Sequence, residues 1–141
     1  MSSEQNSKIA LVTGGAKGLG RAVALRLAEM GAKVAVNYNT STNEANEVVS
    51  MITASGGQSM SVQADVSNLD QVNEMVSHVN KTLGSVDILV NNAGIIDDGL
   101  LVRMSDEAWH RVIDVNLNGT FYCTRAVLRT MLRNRWGRII N

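Results

Sequence analysis

The sequence predicts an α/β protein built on a doubly wound parallel sheet, and three observations carry that expectation. Short apolar runs alternate with longer stretches whose apolar residues recur at helical spacing. Strand–helix repeats of this length bring each strand back parallel to the last through a right-handed crossover. A glycine-rich run, Thr13-Gly-Gly-Ala-Lys-Gly-Leu-Gly20, sits where the first apolar run meets the first helical stretch.

The elements follow in order. Ile9-Ala-Leu-Val12 is the first strand. A helix from about Gly18 to Met30 comes next and stops at Gly31, a glycine that closes a helix. Val34-Ala-Val36 is the second strand. Ser41 with Glu44 three residues on makes a capping-box pattern, and behind it Ala45, Val48, Val49 and Ile52 share one helix face up to Gly56-Gly57. Ser59 to Ala64 alternates, with Met60, Val62 and Ala64 on one side of a third strand. Ser67 and Asp70 open a helix whose stripe, Leu69, Val72, Val76, Val79 and Leu83, steps by 3, 4, 3, 4 before Gly84. Val86-Asp-Ile-Leu-Val90 is the fourth strand. Ser105 caps a long pattern from Asp106 to about Asn134, with Trp109, Val112, Ile113 and Leu117 on its early face. Gly137 ends it, and Arg138-Ile-Ile140 begins a fifth strand. The expected architecture is a Rossmann-type sheet in strand order 3-2-1-4-5 over residues 8–141, truncated after strand five, behind a disordered polar tail over residues 1–7.

Composition narrows the function classes. A chain of 141 residues makes one domain. An apolar fraction of 45% and a charged fraction of 18% belong to an ordinary globule. Net charge is zero, which leaves no footprint for nucleic acid or an anionic membrane. The polar opening, Met1 to Ser7, is no signal peptide, and no apolar run approaches the roughly 18–20 residues of a membrane span. The single cysteine, Cys123, excludes an intrachain disulfide and fits a cytoplasmic location.

The glycine run carries the chemistry. Gly14 allows a tight turn, Gly18 lets backbone N–H groups approach a pyrophosphate, and Gly20 lets the helix pack closely on the strand. The helix N-terminus adds partial positive charge. The spacing is Gly-x-x-x-Gly-x-Gly, and with it the chain resembles the short-chain dehydrogenase/reductase family. Three more motifs agree: Asn91-Asn-Ala-Gly94 after the fourth strand, Asp65-Val66 after the third, and Asn116 in Asp-Val-Asn-Leu-Asn-Gly119. Within that family, Asp-Gly-Leu-Leu-Val-Arg-Met104 and the closing Gly-Arg-Ile-Ile140 look most like the 3-oxoacyl-[acyl-carrier-protein] reductases. The resemblance runs from about Lys8 to Asn141.

It implies a nicotinamide cofactor held by Gly14, Lys17, Gly18, Leu19 and Gly20, with Asp65 receiving the adenine amino group and Val66 beside it. Asn92, Ala93 and Gly94 are implied to line the adenine-side ribose. The choice of nucleotide turns on the end of the second strand, Asn37-Tyr-Asn-Thr-Ser41, where no acid appears before Glu44. A carboxylate there would bind ribose hydroxyls and repel a 2′-phosphate, whereas Asn39 and its neighbours would not. Lys17 reaches such a phosphate as a point charge, or is a solvated surface lysine; the reading is NADP(H).

Ketone reduction needs a proton donor of tuned pKa. The resemblance implies a serine, a tyrosine and a lysine four residues after it, with Asn116 helping to hold a relay water at a break between helices. Of these the 141 residues hold only the asparagine. Tyr38 and Tyr122 are followed four residues on by Thr42 and Ala126. The chain is therefore expected to be the cofactor-binding part of a reductase and inactive alone. Its exposed fifth strand and the apolar residues of the long helix suggest self-association, as in the tetramers of the family. Arg135 matches an arginine that docks acyl carrier protein in the reductases, or belongs to a basic helix end offsetting the dipole. His78, His110, Cys123 and Asp97-Asp98 read as solvated or packing residues, with no metal-ligand spacing. Three readings stay open: a 3-oxoacyl reductase fragment, a non-catalytic NADP(H)-binding module, and a self-associating module.

Overall fold

The computed structural model describes residues 7–141, so all of the expected tail but Ser7 lies outside the described residues. Five strands pair in parallel in the order β3-β2-β1-β4-β5. They are β1 Ile9–Val12, β2 Lys33–Tyr38, β3 Ser59–Gln63, β4 Ile88–Val90 and β5 Arg138–Ile140. The helices are α1 Gly18–Glu29, α2 Thr42–Ala54, α3 Leu69–Thr82, α4 Asp106–Ile113 and α5 Gly119–Asn134. The chain starts mid-sheet, winds outward through β2 and β3, then crosses back to lay Ala10 of β1 opposite Ile88 of β4. That reversal opens a crevice beyond the carboxyl ends of β1 and β4.

Alternation along β1 explains the two layers of core. Ile9 and Leu11 join Val72, Val76 and Val79 of α3 and Cys123, Val127 and Met131 of α5 on one face. Ala10 and Val12 join Ala24 of α1 and Ala45, Val48 and Ile52 of α2 on the other. Being buried on both faces, the central strands need continuous apolar runs, which is what the sequence shows. Burial among these side chains pushes the Cys123 thiol up from 9.0 to about 12, because the thiolate is costly in an apolar surrounding.

Several local expectations are corrected. The Ser41 side chain makes no cap bond, and Glu44 turns to Lys17, so the capping box is not formed. Asn68, not Ser67, caps α3 by accepting from the Gln71 N–H, while Ser67 bonds to Asp65. The strand expected from Val86 is paired from Ile88. No residue of α4 is buried; Trp109 and Leu117 are 54% and 61% exposed, because no sheet or helix layer of the described residues covers that stripe. The long helix is split by a π-helical turn, Asp114–Asn118, in accord with the break implied at Asn116.

The end of α5 is the other correction. α1 and α2 close with Gly31 and Gly56 in the left-handed conformation, each with the paired bonds of a Schellman motif. α5 closes with the same bonds, Arg135 N–H to Leu132 O and Trp136 N–H to Met131 O, but here the left-handed residue is Arg135, at φ 54°. Gly137 does not end the helix. It leaves room for Met131, whose Cγ would lie 2.7 Å from an added Cβ.

Candidate functional site

The crevice is built from the ends of β1, β2, β3 and β4. At the end of β1, Thr13 is 2% exposed and its hydroxyl is fully used. Oγ1 donates to Val90 O and accepts from the N–H groups of Asn92 and Ala93, both at 3.0 Å. The Asn92 amide donates to the carbonyls of Thr13 and Gly14 at 3.1 and 3.0 Å. Its side chain thus fastens the glycine loop to the turn after β4. Asn37, also 2% exposed, accepts from Gly14 N–H at 3.2 Å and donates to Val62 O and Ala64 O. One amide therefore ties the glycine loop to the ends of β2 and β3.

Sequence reasoning counted Asn37 merely as non-acidic and passed over the Thr13 hydroxyl. The available signal was a polar residue closing each of two wholly apolar runs, since a buried amide or hydroxyl persists only when bonded.

The loop itself has the shape the glycines require. Gly14 and Gly18 take φ of 60° and 55°. A Cβ on Gly20 would strike Gly14 O and the Asn92 amide, so no other residue lets α1 start this close to β4. The first helical bond of α1 runs from Arg21 N–H to Lys17 O, which leaves the N–H groups of Gly18, Leu19 and Gly20 without intrahelical acceptors. Nothing lies within 4 Å of the position a Gly18 side chain would take. Leu19 and Lys17 are exposed beside it, and Lys17 Nζ lies 3.7 Å from Glu44 Oε1.

Below the loop, Gly14, Asn39, Asp65, Val66, Ala93 and Gly94 line one hollow of about 170 Å³. Six of the expected residues thus converge on the hollow, while Lys17, Gly18, Leu19, Gly20 and Asn92 are not among those that line it. Asp65 Oδ1 is held by Ser67 N–H at 2.9 Å and by the Ser67 hydroxyl at 2.7 Å, which fixes the carboxylate at the hollow's edge. Asn116 stands on the π-helical turn and clamps the backbone of Ile95. Its Oδ1 accepts from Ile95 N–H at 2.8 Å and its amide donates to Ile95 O at 3.0 Å. No cluster able to hold a metal ion occurs among the described residues.

A glycine turn, a helix start with spare N–H groups, and a hollow at the point where strand order reverses suit a dinucleotide with its phosphates at the turn. The family model of short chain dehydrogenase matches residues 8–141. The chain belongs to the short chain dehydrogenase family. Among the family's curated members, a 3-oxoacyl-[acyl-carrier-protein] reductase of Synechocystis is 49% identical over 135 residues, covering 96% of this chain and 55% of that protein. The 3-oxoacyl-[acyl-carrier-protein] reductases FabG of Staphylococcus epidermidis and Staphylococcus aureus are 52% and 50% identical over the same coverage. The chain thus spans about half the length of the curated relatives it matches. Among the described residues no helix is long and apolar enough to cross a membrane.

Proposed function

We propose that this chain binds NADP(H) and is the nucleotide-binding part of a cytoplasmic oxidoreductase that reduces 3-oxoacyl thioesters, carried on acyl carrier protein, to 3-hydroxyacyl thioesters. The observation that supports it most is the crevice: open space at Gly18, a hollow edged by Asp65, and no carboxylate on β2 to exclude a 2′-phosphate. The N–H groups of Gly18, Leu19 and Gly20 hold the pyrophosphate. Lys17 takes the 2′-phosphate beside Asn39. Asp65 and the Val66 backbone receive the adenine, and Ala93 and Gly94 face its ribose. Bound NADPH supplies the hydride; Asn116 steadies the Ile95 backbone next to where the reduced carbonyl approaches and helps position a relay water.

The 141 residues contain no Tyr-x-x-x-Lys, so the reading makes them competent to bind but not to reduce. Exposed Phe121, Leu128 and Leu132 on α5 support association with a second copy. Arg135, with Arg138 stacked 4.9 Å from the Trp136 ring, supports docking of an acidic carrier. Titrating NADPH fluorescence tests the binding reading. Wild type should bind, and Gly18→Trp, which fills the phosphate position, should not; equal binding by both removes the glycine loop from the proposal. Turnover of an acetoacetyl thioester by the 141-residue chain alone would overturn its assignment as non-catalytic.

A further inference from the structure

The rim of the phosphate site contains an acid that the cofactor does not need. Glu44 stands in the first turn of α2, and its Oε1 lies 3.7 Å from Lys17 Nζ at the start of α1. Both side chains are accessible, at 64% for Lys17 and 43% for Glu44. The sequence offers Glu44 a different partner, since Ser41-x-x-Glu44 is the pattern in which the glutamate folds back onto the Ser41 N–H. In this structure that capping contact is not made, and the carboxylate reaches for the lysine instead.

We propose that Glu44 is a specificity-determining residue: by holding Lys17 when no cofactor is bound, it limits the preference of this chain for NADPH over NADH. The proposal rests on the NADP(H) reading above. A 2′-phosphate carries about −1.5 to −2 charges at neutral pH. It attracts Lys17 and repels Glu44, so binding NADPH breaks the ion pair. Glu44 then has the positive end of α2 and the Ser41 N–H to turn to. NADH carries no 2′-phosphate and leaves the pair intact. The pair therefore opposes one cofactor and is neutral toward the other.

The second ion pair between the same two helices, Arg21 with Glu47 at 3.1 Å, sits one turn further along each helix and provides the control. Dissociation constants for NADPH and NADH are measured by fluorescence for wild type, Glu44→Gln, Glu47→Gln, Lys17→Met and the Lys17→Met/Glu44→Gln double variant. Glu44→Gln should tighten NADPH about two- to five-fold, the range an exposed ion pair allows, and leave NADH unchanged. The gain should shrink at high salt, and shrink in the Lys17→Met background to the part left by direct repulsion between Glu44 and the 2′-phosphate. Glu47→Gln should change neither constant. An unaltered NADPH constant in Glu44→Gln, an equal shift for NADH, or the same gain from Glu47→Gln overturns the inference. If wild type binds NADPH no tighter than NADH, the NADP(H) reading falls and takes the inference with it. A wild-type preference for NADPH with an inert Glu44→Gln overturns this inference alone.

Discussion

The rim of the crevice that follows β1 and the rim that follows β4 differ in where their polar groups find partners. On the β1 side, Thr13 and Asn37 are buried and bonded to groups from β2, β3 and the β4 turn. Beyond Ala93, the β4 side runs without regular structure from Gly94 to Leu100, then through a 3₁₀ turn at Leu101–Arg103. It is fastened by the Asn116 clamp on Ile95 and by an ion pair between Asp97 and Arg111. Ile96, Leu100, Leu101 and Val102 are 67–89% exposed there. The difference teaches a division of labour. On the proposed reading, the phosphates, which are alike in every dinucleotide, meet a rim set in advance by buried hydrogen bonds. A rim with few buried contacts opens at low free energy and is free to adapt to whatever reaches it.

Substitutions can break that contrast. Gly20→Val places side-chain atoms on Gly14 O and the Asn92 amide, and should abolish NADPH binding and lower the melting temperature sharply; calorimetry and fluorescence titration read both. Asn37→Leu strands the Gly14 N–H and two carbonyls, and should cost about 3 kcal/mol in urea unfolding. If either change is as mild as a surface substitution, the β1 rim is not the rigid one.

Cys123 probes the buried stripe of α5 behind the adaptable rim. Its folded pKa of about 12 exceeds the unfolded 9.0, so the folded state keeps a proton that the unfolded state gives up. Its contribution to stability is whole below pH 9 and is lost as pH climbs from 9 toward 12, at up to about 1.4 kcal/mol per unit. Cys123→Ala should flatten the fall in stability over that window, and the native thiol should resist alkylation at pH 8. Arg135→Gly relieves a left-handed side-chain residue and should stabilise the chain by about 1 kcal/mol, while weakening any association with acyl carrier protein. Trp109→Ala on α4 should change stability by less than about 0.5 kcal/mol, in keeping with a side chain 54% exposed. A loss as large as that of Asn37→Leu would show that α4 belongs to the rigid part after all.

Much of the fold was legible because it is written locally. Apolar runs, helical stripes and terminating glycines act within a few residues, and they gave the five strands, the principal helices and the order 3-2-1-4-5. Gly14, Gly18 and Gly20 were legible for the same reason: a left-handed turn and a close approach restrict residue type at one position. The helix caps were read less well, because Ser41 and Ser67 are each one of several residues that serve equally as caps, and the choice falls to whichever side chain has no better partner.

The sequence by itself therefore settled the kind of sheet and the order of its strands. Tertiary structure alone decided what the polar side chains at the crevice do. Asn92 meets Thr13 across 79 residues of chain, Asn37 meets Gly14 across 23, and Asn116 meets Ile95 across 21. The turn of Glu44 toward Lys17 and the exposure of α4 were decided in the same way. A hydrogen bond or a buried face depends on what the folded chain places within about 3–4 Å, and that distance is set by the packing of whole elements, not by any residue's neighbours in sequence.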